Sequence, residues 1–248
     1  MGSARGSPGA PSIKPNPLIL WKEVMPFRRI ATALWFGWSL ASAASGLSFG
    51  GPSTILEQNP PPALAGHMDL QSSAHVFFWT ERLNVTLTAA EPVNVLPFVN
   101  NVSGFYDSGV ASVEASWGGI LPPGTYNSYF LHADKQGPNV TFEASVTFDH
   151  PIEAILYKQS ELGDTDTLLG SPTTTYAGGA PSRMLELDGP NNWFEISQDR
   201  LTFHFKTVVA HNMDDVRILT AVPEPSTPSL LSLGLLGLGL RNRGSTRL

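Results

Sequence analysis

Three stretches of this chain alternate apolar and polar residues with a period of two, a pattern that fits strands with one buried and one wet face. In residues 140–148, Val140, Phe142, Ala144, Val146 and Phe148 alternate with Thr141, Glu143, Ser145 and Thr147. Leu201, Phe203 and Phe205 alternate with Thr202, His204 and Lys206, and Leu83, Val85, Leu87 and Ala89 with Asn84, Thr86 and Thr88. Further strands are predicted at 74–79, 93–98, 110–117, 126–133, 152–158, 184–187, 193–196 and 216–221. Turn-forming runs such as "LPPGTYN" (121–127), "KQGPN" (135–139) and "DGPNN" (188–192) separate them. Only 159–169 reads as a short helix or ordered loop. The predicted fold is all-β: an antiparallel β-sandwich, jelly-roll-like, over residues 74–222, with hydrophobic helical segments at both termini. No repeat of about 20 to 50 residues is present, so a solenoid or propeller gains no support.

The sequence has no cysteine, which rules out disulfides, thiolate metal sites and cysteine nucleophiles. Charge is unevenly spread. Of 15 Lys and Arg, 5 fall in residues 1–43 and 3 in 226–248, which leaves 7 in residues 44–225 against 20 of the 21 acids, a body near -13. Nucleic-acid binding draws on cations that neutralise phosphates, so no nucleic-acid partner is expected.

The two ends are unlike the middle. Residues 1–24 read as disordered or as preceding the true start, which Met25 would supply. From there Arg28 and Arg29 lead an apolar run from Ile30 to Leu40, followed by Ala41-Ser42-Ala43. That is the layout of a secretory signal peptide over 25–43, with Ala41 and Ala43 in the small-residue positions and signal peptidase as the partner. Residues 44–73, with Pro60, Pro61 and Pro62 in a row, read as a linker or loosely attached arm. At the other end Pro223-Glu224-Pro225 precede Leu230 to Leu240, an uncharged run of 11 residues, and then Arg241, Arg243 and Arg247. At about 1.5 Å per helical residue such a run falls short of a hydrocarbon core of about 30 Å, so membrane association is expected to be transient. The arginines favour leaving that end on the cytoplasmic side.

This order of features, Pro223-Glu224-Pro225, a Leu/Gly-rich run and the Arg241 and Arg243 tail charge, resembles the PEP-CTERM sorting signal of bacterial exported proteins, here residues 223–248. The resemblance implies recognition by an exosortase-type enzyme, removal of the tail, and delivery to the cell envelope, cell surface or extracellular matrix. Two features depart from the regular pattern: Pro228 interrupts the uncharged run when it is counted from Ser226, and "RNRGSTRL" dilutes the arginines.

The body offers little catalytic signal. Six histidines, at 67, 75, 132, 150, 204 and 211, contain no i, i+4 pair, and neither G-x-S-x-G nor a phosphate-loop motif is present. Asp149, Glu153, Glu186 and Glu195 could supply the two carboxylates a glycosidase needs. Asp164, Asp166, Asp214 and Asp215 could serve a structural calcium ion, although turn formation is the plainer role. No cofactor or catalytic metal is otherwise expected. The "NVT" and "NVS" triplets at Asn84, Asn139 and Asn101 read as chance matches. Flat aromatic rings stack on sugar faces, and Trp117, Tyr126, Tyr129, Tyr176 and Trp193 are candidates, with Trp193 at the edge of the "DGPNN" loop favoured for ligand contact. Trp79, behind Phe77 and Phe78, is expected in the core. The expected function is non-enzymatic: an exported surface or matrix module associated with extracellular polysaccharide. The alternative is a secreted carbohydrate-active enzyme with a carboxylate pair on the sandwich.

Overall fold

The computed structural model describes residues 46–64, 66, 69–97, 104–177, 183–210 and 213–222. The chain divides into two units, Met1–Ser42 and Ala43–Leu248, and every described residue lies in the second. In chain order the elements are β1 (Ser48–Gly50), β2 (Thr54–Glu57), β3 (Ala63–Leu64), β4 (His75–Leu87), β5 (Glu91–Val93), β6 (Phe105–Tyr106), α1 (Ala111–Glu114), β7 (Gly119–Leu121), β8 (Gly124–Ala133), β9 (Val140–Thr147), β10 (Ile152–Leu156), α2 (Gln159–Leu169), β11 (Thr175–Tyr176), β12 (Trp193–Ile196), β13 (Thr202–Val209) and β14 (Asp214–Ala221).

The alternation over 140–148 and 201–206 becomes β9 and β13, neighbours in a five-stranded sheet of order β1-β9-β13-β12-β6. Every ladder in it is antiparallel, and Phe142, Ala144 and Val146 turn inward with Phe203, Phe205 and Phe194. A second five-stranded sheet has the order β10-β14-β8-β4-β2. Its inward residues Val76, Phe78, Tyr129, Leu131, Ile155, Val216 and Ile218 join the same apolar cluster, so the two sheets pack face to face.

The second sheet is buried on its other face too. Phe77, Trp79, Phe130, Ala154, Leu156 and Leu219 pack there against Leu162 and Leu169 of α2 and against Leu64 of β3. This explains why β14 is buried along nearly its whole length while β13 alternates. Neither end of α2 has a local side-chain cap. Instead Asn94 Oδ1 accepts from the N–H groups of Tyr157 and Lys158 at 2.8 and 2.9 Å, and Arg82 donates to the carbonyls of Gly170 (2.7 Å) and Thr167 (3.3 Å). Distant residues thus hold the chain entering the helix and bond two of the carbonyls at its end.

Four expectations are corrected. The linker expected over 44–73 carries β1, β2 and β3, and β1 and β2 are edge strands of the two sheets. Apolar spacing was absent there because the strands are short and edge-placed, and the residues that reach the core, Leu47, Ile55, Leu64 and Leu70, are too far apart to show a period of two. The sandwich is not wholly antiparallel, since β2 runs parallel to β4 and β3 parallel to β11. The predicted strand 110–117 is the one-turn helix α1, closed by Val113 and Glu114 N–H groups donating to the Val110 carbonyl. In β4 the register shifts between Thr80 and Arg82 and again between Arg82 and Val85, and Asn84 takes a left-handed φ of 56°. Leu83, expected inside, is therefore 58% exposed, while Leu87 beyond the irregularity is buried as the alternation requires. The hydrophobic segments expected at both termini lie outside the described residues.

Candidate functional site

The outer, solvent-facing side of the first sheet is built from the residues that alternate away from the core. Phe105 of β6 pairs with Glu195 of β12, which pairs with His204 of β13, which pairs with Ser145 of β9. The adjacent row places Trp193 beside Lys206 and Lys206 beside Glu143. Trp193 is half-buried, its ring 5.1 Å from that of Phe105 and 4.9 Å from that of His204, edge-on to the latter. Phe105 is 37% exposed. Around these rings stand Glu195, Lys206, Glu143 and His204, with Glu143 3.7 Å from His204 and 3.9 Å from Lys206. The result is a short aromatic strip on the outer face of the sheet, flanked by groups that donate and accept hydrogen bonds.

Of the aromatic residues singled out in the sequence, only Trp193 lies on this face. Trp117 is buried edge-on against Tyr106, Tyr129 is inside the sandwich, and Tyr126 is buried with its hydroxyl donating to the Pro122 carbonyl. Trp79 is fully buried, as expected. The carboxylates named for catalysis have different surroundings: Asp149 accepts from the Gly46 N–H, Glu153 lies 3.9 Å from Arg200, Glu195 stands opposite His204, and Glu186 is exposed. Ala41, Ala43, Pro223, Glu224, Pro225, Arg241 and Arg243 lie outside the described residues.

The far face of the second sheet holds what the sequence did not suggest. Alternating with Val216 and Ile218 on β14, Asp215 and Arg217 point toward α2 and enter a buried ionic network. Arg217 is fully buried and grips Glu81 with two bonds of 2.6 and 2.8 Å, Asp166 at 2.9 Å and the Thr165 hydroxyl at 2.7 Å. Arg183 bridges Asp166 at 2.6 Å and Asp215 at 2.9 Å. His132 offers Nδ1 to Asp215 at 2.6 Å and Nε2 to the Leu70 carbonyl at 2.9 Å, so both ring nitrogens face acceptors. Burial alone would lower the Arg217 guanidinium's pKa, but Glu81 and Asp166 outweigh it and hold it above the ordinary arginine value. Burial likewise works to raise Asp215, and His132 and Arg183 overcome it and bring that carboxyl below its usual range. The rings of Tyr176 and Phe130 flank both guanidiniums, with Arg183 4.9 Å from the Tyr176 centroid and Arg217 5.4 Å from that of Phe130. The Tyr176 hydroxyl donates to Glu81, and burial followed by that carboxylate raises its pKa.

Two of the aspartates nominated as calcium ligands, Asp166 and Asp215, are thus engaged by arginines. Asp214 is buried and accepts from the Thr207 hydroxyl, and Asp164 is exposed on α2. Among the described residues no group of three or more His, Asp or Glu is placed to share a metal ion.

The PEP-CTERM protein-sorting motif matches residues 221–243. The chain therefore carries a PEP-CTERM sorting motif, which supports an exported, envelope-associated protein processed by an exosortase-type sorting enzyme. Neither the curated proteins nor the solved structures give a match to this chain. No helix among the described residues is long and apolar enough to cross a membrane.

Proposed function

We propose that the protein is a non-enzymatic module of the cell surface or extracellular matrix that associates with polysaccharide through the outer face of its first sheet. The observation that carries this reading is the strip of Phe105, Trp193 and His204, partly exposed on the outer face of the sheet and bordered by Glu143, Glu195 and Lys206. A pyranose presents an apolar face to stack on such rings and hydroxyls to meet the polar border. Two mostly antiparallel sheets give that strip a rigid base, and we read the passage of β8, β9 and β10 between the sheets as jelly-roll-like. A signal peptide ending at Ala43 delivers the chain across the membrane in this scheme, and removal of the tail beyond Pro225 releases the body to its site.

Affinity electrophoresis in gels containing the host's own extracellular polysaccharide tests the reading. Retardation of the wild-type protein, reduced in Trp193→Ala and in Phe105→Ala, is the expected result. Equal mobility with and without polysaccharide, or unaltered retardation of the doubly substituted protein, refutes it.

A further inference from the structure

Beside the buried network, on the side of the second sheet away from the aromatic strip, an open depression of about 420 Å³ is lined by Arg82, Asp166, Thr167, Ser171, Pro172, Thr174 and Tyr176. Its size falls within the range of about 300 to 1,000 Å³ found for small-molecule sites. Its walls are polar, combining one guanidinium, three hydroxyls and a phenol ring.

Arg82 is the informative member. Its Nε and Nη2 donate to the carbonyls of Gly170 and Thr167, which fixes the guanidinium, yet it forms no ion pair among the described residues. The donors on Nη1 make no hydrogen bond there. Five of the other six cations of the body, Lys158, Arg183, Arg200, Lys206 and Arg217, each have a carboxylate within 4 Å, and Lys135 instead donates to Asn139. The nearest carboxylate in the depression, Asp166, is already held by both Arg183 and Arg217. An incoming anion therefore meets a positioned guanidinium and a neutralised acid. Positioning in advance lowers the entropic cost of binding, and an arginine fork suits a carboxylate.

We propose that this depression binds the carboxylate of an acidic sugar unit, with Arg82 holding the carboxylate, the Thr167 hydroxyl meeting a ring hydroxyl, and Thr174, whose own proton goes to the Pro61 carbonyl, accepting from another. Repulsion between the body charge near -13 and a bound carboxylate is screened beyond about 8 Å at physiological salt. The depression lies apart from the Phe105 and Trp193 strip, so either site stands or falls without the other.

The test is a titration of the intact protein, labelled with nitrogen-15, with D-glucuronate, D-glucose and acetate at matched concentrations. Glucuronate is expected to shift the amide signals of Thr167, Ser171, Thr174 and Tyr176, with D-glucose and acetate giving markedly smaller responses. Arg82→Lys keeps the charge but loses the fork, and is expected to weaken glucuronate binding about tenfold, the worth of one charge-assisted hydrogen bond. Because Arg82 also supports the end of α2, Thr167→Glu provides an independent check: it places a carboxylate in the exposed lining, leaves Arg82's carbonyl bonds in place, and is expected to abolish the response with an unchanged melting temperature. Absence of any response to glucuronate, an equal response to glucose or acetate, or full binding by Thr167→Glu overturns the proposal.

Discussion

Replacing Arg217 with Met should destabilise the protein more than any change on its surface. The guanidinium is fully buried, with two bonds to Glu81, one to Asp166 and two more to the Thr165 hydroxyl and the Leu162 carbonyl. Methionine fills much of the same volume but leaves Glu81, itself buried, with only the Ser128 and Tyr176 hydroxyls as donors and no counter-charge in contact. Asp166 keeps Arg183 and suffers less. Breaking a buried pair from one side costs about 3–5 kcal/mol, a large part of the roughly 5–15 kcal/mol that holds a domain together. With a urea slope of about 2 kcal/mol/M, the unfolding midpoint should fall by about 2 M. Urea unfolding followed by tryptophan fluorescence measures it. Removing both charges in Glu81→Leu with Arg217→Met should recover more than half of the loss, because an apolar pair has no buried charge left to solvate. A loss below about 1 kcal/mol for Arg217→Met, or a double variant whose loss is the sum of the two single losses, would refute the reasoning.

Asp214→Asn should raise stability at pH 7 and give no advantage near pH 4. Burial is the largest influence on this carboxyl; the Thr207 hydroxyl opposes it, and Glu186, Asp215 and Asp188 add to it, leaving the group well above the ordinary range. The native state thus keeps a proton that the unfolded chain releases above about pH 4, so this group's contribution is complete below that pH and is lost as pH rises. Melting curves across pH check this, and parallel wild-type and variant profiles would contradict it. Gly104 has φ +71° and a Cβ placed there would lie 2.4 Å from the Ile196 carbonyl oxygen, so Gly104→Ala should cost about 1–3 kcal/mol and displace β6 with Phe105. An unchanged urea midpoint would show that the backbone accommodates the methyl. Gly51, at φ +101° and with its Cβ position 2.7 Å from the Ala144 Cα, should respond in the same way and loosen β1 from β9.

Where one face of a strand meets core and the other meets water, the sequence was readable. β9 and β13 follow their alternation residue by residue, and Trp193 emerges on the wet face because Phe194 and Ile196 occupy the buried one. The strands covered on both faces, β8, β10 and β14, were legible as apolar runs, and reading failed where the backbone breaks period or a strand joins by parallel pairing. Two register shifts in β4 turned Leu83 outward, and β2 joined by parallel pairing to β4, with no short-range turn signal to announce it. The ionic network was hidden for a different reason: Glu81 and Arg217 are 136 residues apart, and Arg183 reaches Asp166 and Asp215 from a loop. One local signal was available. Asp215 and Arg217 alternate with Val216 and Ile218, which places charge on a face that α2 later covers.

The central claim, that this chain is an exported body delivered by a removable C-terminal label, is tested most directly by the intact mass of the protein recovered from its own host's envelope and medium. The account predicts a species beginning near Ala44 and ending near Pro225, and its loss when Pro223, Glu224 and Pro225 are all replaced by alanine. A recovered protein that retains residues 226–248 would contradict removal of the label and leave the apolar run as a lasting attachment.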